Sequence, residues 1–127
     1  MPVLDIADLP EIAMRAGMRG KWLVSREHGA CEMSVLSNIV EPGNAAPRHM
    51  HAYEEVILVE AGEIWVEMEG TRTTAAAGQG VIIPPSAPHA WGATGPMAAR
   101  LLFIWPGLDP FAPDKSKYLD GEPPVVR

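Results

Sequence analysis

Three of the four histidines in this 127-residue chain fall within two short segments. The first runs from Gly43 to Gly62 and carries His49, His51 and Glu55 in the pattern G-x5-H-x-H-x3-E-x6-G. The second runs from Gly78 through Pro84 to His89, in the pattern G-x5-P-x4-H. Two histidines one residue apart on a strand point the same way, because side chains alternate with period two. Imidazole and carboxylate together suit zinc, copper, iron, nickel or manganese. The two segments therefore read as one metal site. A divalent metal in such a site polarises carbonyls or binds a small substrate or oxygen directly.

These segments resemble the two motifs of the cupin family. The first motif is matched at every fixed position. The second is matched at Gly78, Pro84 and His89, with Ser86 where the family has its second glycine and Ala93 where it has asparagine. Neither departure removes a ligand. The resemblance covers roughly Cys31 to Trp105. It implies an all-β fold, a single antiparallel β-barrel or double-stranded β-helix of jelly-roll type. It also implies one metal held by His49, His51, Glu55 and His89. Iron, manganese, nickel, zinc, cobalt and copper all remain open. Closed structural zinc sites usually use cysteine, and Cys31 lies outside both motifs. Glu54 competes with Glu55 for the ligand role, but the spacing selects Glu55 and alternation puts Glu54 on the opposite, solvated face.

The surrounding elements are short and β-rich. A length of 127 residues suits one domain over 1–127, with an N-terminal arm over 1–30, a core near 31–105 and an irregular tail over 106–127. In the arm, residues 5–18 suggest a short helix or an extended segment, broken by Pro10. Residues 21–25 and 31–40 read as strands, the second containing Cys31 packed as a small hydrophobe. His49 to His51 open the next strand or a bend leading into it. Glu55–Val59 and Glu63–Met68 read as a hairpin around Gly62, the first arm covered on both faces and the second alternating. Thr71–Thr74, Val81–Ile83 and Leu101–Trp105 are further strands, and the proline-rich stretch Pro84–Pro88 is a loop that delivers His89. His28 sits in an exposed loop-like stretch.

The net charge of −6 excludes a phosphate-tracking surface, so no nucleic-acid partner is expected. A lone cysteine, no apolar run long enough for a membrane and no signal-peptide pattern suggest a cytoplasmic protein. Trp65 shares a strand face with Glu63, Glu67 and Glu69, so it is expected at a subunit contact. Small cupins commonly pair, which the resemblance adds in favour of a homodimer. The functional expectation is a metal-dependent enzyme on a small organic molecule, of dioxygenase or isomerase/lyase type. The alternatives are a non-catalytic metal- or ligand-binding sensor and a metal-free structural or storage barrel. No further histidine lies in the motifs to act as a base. Tyr53 and Glu67 are candidates for that role, and Arg48 and Tyr53 for orienting a substrate. Alternation points Trp91 to the pocket side or into the core.

Overall fold

A computed structural model describes residues 1–125. Among the described residues there are eleven strands and two single-turn 3-10 helices, Ile6–Asp8 and Arg26–His28. The strands are β1 (Ile12–Arg15), β2 (Met18–Val24), β3 (Met33–Val40), β4 (Ala45–His51), β5 (Glu55–Ala61), β6 (Glu63–Met68), β7 (Thr71–Ala76), β8 (Gly80–Ile83), β9 (His89–Thr94), β10 (Ala99–Pro106) and β11 (Ser116–Tyr118). They form two antiparallel sheets, a six-stranded one in the order β1-β2-β3-β10-β5-β8 and a five-stranded one in the order β11-β4-β9-β6-β7. This is a jelly-roll sandwich, and the two sheets do not close into one continuous barrel.

Alternation sets the core. On β3, Ser34, Leu36, Asn38 and Val40 point inward, and the residues between them face out. Leu101, Phe103 and Trp105 of β10 do the same beside them, paired with β3 and β5. The five-stranded sheet faces them with Ile64 and Val66 of β6 and Trp91 and Ala93 of β9. Burying side chains of this size contributes about 1.5–3 kcal/mol each, which favours this register over its one-residue slip.

The segment around Gly62 is not a hairpin. β5 pairs with β10 and β8, whereas β6 pairs with β9 and β7. Gly62 is therefore a corner at which the chain changes sheets. Its φ is 74°, and an added Cβ would lie 2.7 Å from the Ala98 carbonyl oxygen. Only glycine meets both demands without strain. Nor is β5 covered on both faces: Ile57 and Val59 are buried, but Leu58 is 38% exposed beside β8, whose Ile82 is 66% exposed. The apolar run reflects an apolar outer face, with Val56 against Ile82 and Ile104, and Leu58 against Leu102.

Other expectations shift in detail. His49 and His51 end β4 and do not open a strand. Cys31 is exposed and precedes β3. His28 is half-buried, with Ser25 Oγ 3.2 Å from its Nδ1. Trp65 has partners within its own chain: its ring lies over Gly92, where a Cβ would come within 2.8 Å, and the Arg72 guanidinium sits 3.9 Å above the ring centroid. That cation–π contact covers the indole. The segments before and after the core also add to the sheets, β1 and β2 at one edge and β11 at another.

Candidate functional site

The site forms where β4, β5 and β9 meet between the sheets. His49 and His51 point inward from the end of β4, and His89 faces them from the start of β9, paired directly with His49. One nitrogen from each of the three imidazoles lies within 4.8 Å of the others, and all three side chains are buried. Glu55 opens β5 and joins them from the other sheet, with its carboxylate 3.2 Å from His51 Nε2 and 3.4 Å from His89 Nε2.

Each imidazole has its Nδ1 tied to an acceptor. His49 Nδ1 donates to the Pro47 carbonyl at 2.6 Å, and His89 Nδ1 to the Ala87 carbonyl at 2.9 Å. In both, the acceptor lies two residues upstream, held in a proline-stiffened approach. His51 Nδ1 donates to Ser116 Oγ at 2.7 Å, and the Ser116 hydroxyl passes its own hydrogen to the Pro110 carbonyl. These bonds place the hydrogens on Nδ1 and turn all three Nε2 lone pairs inward, which is the arrangement that metal-ligating histidines use. Two tyrosines fix the ring planes. Tyr118 stacks on His49 with centroids 4.8 Å apart, and Tyr53 stacks on His51 at 5.1 Å.

Charge and burial agree with this reading. Burial pushes the His49 imidazole down to about 3, helped by the close approach of His89, so the ring is neutral at physiological pH. Burial would raise the Glu55 carboxyl, but the closely packed His51 and His89 rings outweigh it and hold the group at about 2. The Trp105 indole N–H also donates to Glu55. The centre thus combines one carboxylate with three inward imidazole nitrogens. Glu55 Oε1 and His89 Nε2 are buried and have no hydrogen-bond partner. Buried polar atoms are normally paired, and a divalent cation between them would satisfy both. The donor set and its orphaned atoms fit a transition metal.

The remaining candidates separate clearly. Tyr53 abuts the site, but behind His51: its hydroxyl donates to the Pro110 carbonyl and lies 3.3 Å from His51 Nδ1. Burial raises its pKa, so it stays protonated. Arg48 faces outward and pairs with Asp120 at 3.3 Å. Glu67 lies on the outer face of β6, paired with Arg72. Neither reaches the interior. Glu54 is exposed, as alternation requires. Trp91 lines the cavity. Ser86 takes the left-handed conformation, φ 59°, that glycine would occupy, and its N–H donates to the His51 carbonyl.

Several site residues carry no motif. Ser116 and Tyr118 reach the histidines from β11, which pairs with β4 across His49–His51. The only trace in the sequence is the alternation Ser116-Lys117-Tyr118. Arg15 of β1 places its guanidinium 5.7 Å from the centre of the Tyr118 ring. This contact bridges the sheets along their open seam. Burial pushes the Tyr118 hydroxyl up to about 12. Beyond the histidines the cavity runs past Trp91, Phe103 and Leu36 to Asn38, with Phe111 also on its wall. Its free room is about 30 Å³, space for a water or two.

A family model described as "Cupin domain" matches residues 38–105. Protein SchB of Streptomyces halstedii is 33% identical over 112 residues, 87% of this chain and 79% of that protein. Polyketide synthase CurC of Streptomyces cyaneus is 29% identical over 126 residues, 98% of this chain and 80% of that protein. Among solved structures, the polyketide cyclase RemF from Streptomyces resistomycificus superposes with a TM-score of 0.77 at 18% identity. That superposition covers 96% of this chain and 87% of the cyclase.

Proposed function

The chain belongs to the cupin family, and we propose that it is a metal-dependent enzyme that promotes ring closure in an oxygen-rich, polyketide-type substrate. The observation that carries the metal part is the convergence of three Nε2 atoms whose Nδ1 hydrogens are already committed elsewhere. The substrate class rests on similarity to a protein named as a polyketide synthase and, at the level of fold, to a polyketide cyclase.

In this reading His49, His51, Glu55 and His89 hold one divalent metal. Bound there, the metal supplies Lewis-acid polarisation of a substrate carbonyl. The protein's own groups do the rest. Trp91, Phe103, Leu36 and Phe111 give the substrate an apolar wall and exclude water. Tyr118 stays protonated and can donate to an oxygen that gains negative charge during the reaction. Arg15 beside it adds positive potential. Tyr53 and Ser116 act through His51 as positioning residues. The free room of about 30 Å³ is smaller than a multi-ring substrate, so its entry requires the cavity wall to open.

The dioxygenase and isomerase/lyase alternatives part at oxygen. Ring closure by carbonyl activation consumes none. The test has two arms. Untagged protein should carry close to one transition-metal ion per chain, and the double substitution of His49 and His51 by alanine should abolish it. The metal-loaded protein should then convert a linear aromatic polyketone without oxygen uptake. Full metal in the double variant overturns the site, and stoichiometric oxygen uptake with substrate overturns the reaction class in favour of a dioxygenase.

The homodimer is proposed with its contact moved from Trp65 to the outer face of the six-stranded sheet, where Leu58 and Ile82 are exposed beside Leu102 and Ile104. Sedimentation of Leu58→Lys should show monomer where the wild type shows dimer, and a wild-type monomer at micromolar concentration refutes it.

A further inference from the structure

Asn38 is an anomaly of the interior. It sits at an inward position of β3, is 1% exposed, and its Oδ1 has no hydrogen-bond partner. Its neighbours across the sheet are Gly20 on β2 and Leu101 on β10, neither with a polar side chain. A buried amide left unpaired destabilises a fold, and leucine of nearly the same shape would fill the position without that cost. Asn38 also lines the cavity that contains His49, His51 and Glu55. Between them the wall is apolar and largely aromatic: Leu36, Trp91 and Phe103.

We propose that Asn38 is a specificity-determining residue whose Oδ1 accepts a hydrogen bond from a hydroxyl at the far end of a flat, aromatic ligand, the near end of which carries an oxygen at the histidine cluster. The inference rests on the proposed function for the near end alone. The far end rests on the orphaned acceptor, and an acceptor calls for a donor, hence a phenol or enol hydroxyl and not a ketone or ether. The apolar wall calls for a flat body with few polar atoms along its length. A pocket built to bond a hydroxyl rejects the analogue that lacks it, because the buried acceptor then stays unpaired.

The test compares two probes by quenching of the cavity tryptophans: a naphthalenediol with hydroxyls at opposite ends, and the naphthol that keeps one of them. The wild type should bind the diol about tenfold more tightly, the size of one buried hydrogen bond to an otherwise unpaired group. Asn38→Leu should bind both probes alike and should melt at the same temperature as the wild type or higher. A variant that keeps the diol preference overturns the proposal. So does one that melts clearly lower, which would make Asn38 a structural residue. Failure of the wild type to bind either probe also overturns it. The same pair of titrations on the His49 and His51 double alanine variant separates the two readings. A diol preference that persists in a double variant still carrying full metal leaves Asn38 standing while the metal site falls.

Discussion

Ser116→Ala should weaken metal binding without touching a ligand. Ser116 Oγ accepts the His51 Nδ1 hydrogen at 2.7 Å and donates its own to the Pro110 carbonyl. Losing such an orienting partner typically costs between ten- and a hundredfold in metal affinity, about 1.4–2.7 kcal/mol. The structure places this variant at the low end. The Tyr53 hydroxyl oxygen lies 3.3 Å from the same Nδ1 and already donates elsewhere, so its lone pair can accept in place of Ser116. The Pro110 carbonyl keeps the Tyr53 hydrogen bond and is not orphaned. Ser116→Ala should therefore cost about tenfold, Tyr53→Phe about twofold or less, and the double variant close to a hundredfold. The excess of the double over the two singles measures the shared role. Competition against a fluorescent chelator at fixed neutral pH gives the affinities. Thermal unfolding in excess chelator shows whether the metal-free fold is intact. If the double variant binds metal within about twofold of the wild type while folding normally, the Nδ1 bond does not orient His51, and the inward convergence of Nε2 atoms loses its explanation.

Glu55→Gln should lose at least about tenfold in metal affinity, whereas Glu54→Gln, at an exposed position, should change neither affinity nor melting temperature; equal losses would show the wrong carboxylate was assigned. Metal-free protein should lose stability on acidification. The His49 pKa falls from 6.5 to about 3 on folding, so below about pH 6.5 the unfolded chain takes up a proton that the folded chain refuses. Stability is then complete above that range and is lost by about 2 kcal/mol at pH 5, as urea unfolding with chelator can check; a flat profile between pH 7 and 5 contradicts a buried neutral imidazole. Gly62→Ala should destabilise the fold by about 2 kcal/mol or more, because alanine at φ 74° is strained and its Cβ would crowd Ala98; a melting temperature unchanged from wild type would rule out the tight corner.

The convergence of His49, His51, Glu55 and His89 was legible because their spacing is tied to strand geometry. His49 and His51 share a face by alternation, and the distance to Glu55 spans one short connection into the opposite sheet. The hairpin at Gly62 was misread because the local signals of a hairpin and of a sheet-changing corner are the same: a glycine between two runs of strand-forming residues. Which sheet each arm joins is decided by partners far away in sequence, β10 for one and β9 for the other. Trp65 was misread for a similar reason. Its cover comes from Arg72 across the β6–β7 turn and from the missing side chain of Gly92, neither of which a strand-face count includes. Ser116 and Tyr118 were invisible because a three-residue strand carries too little periodicity to be recognised. Asn38 carries no motif, and alternation along β3 leaves open which of its two faces is the inward one.

The hydrogen bond from His51 to Ser116 has a consequence for the order of events during synthesis. The presumptive ligands lie between residues 49 and 89, but the groups that orient His51 and stack on His49 arrive with residues 110–118. A nascent chain that has exposed only the first set lacks the Ser116 acceptor for His51 and the Tyr118 ring against His49, while His49 and His89 keep their local acceptors at Pro47 and Ala87. Once β11 docks on β4, the rings are locked. The site around His51 is therefore completed only when the late segment is in place.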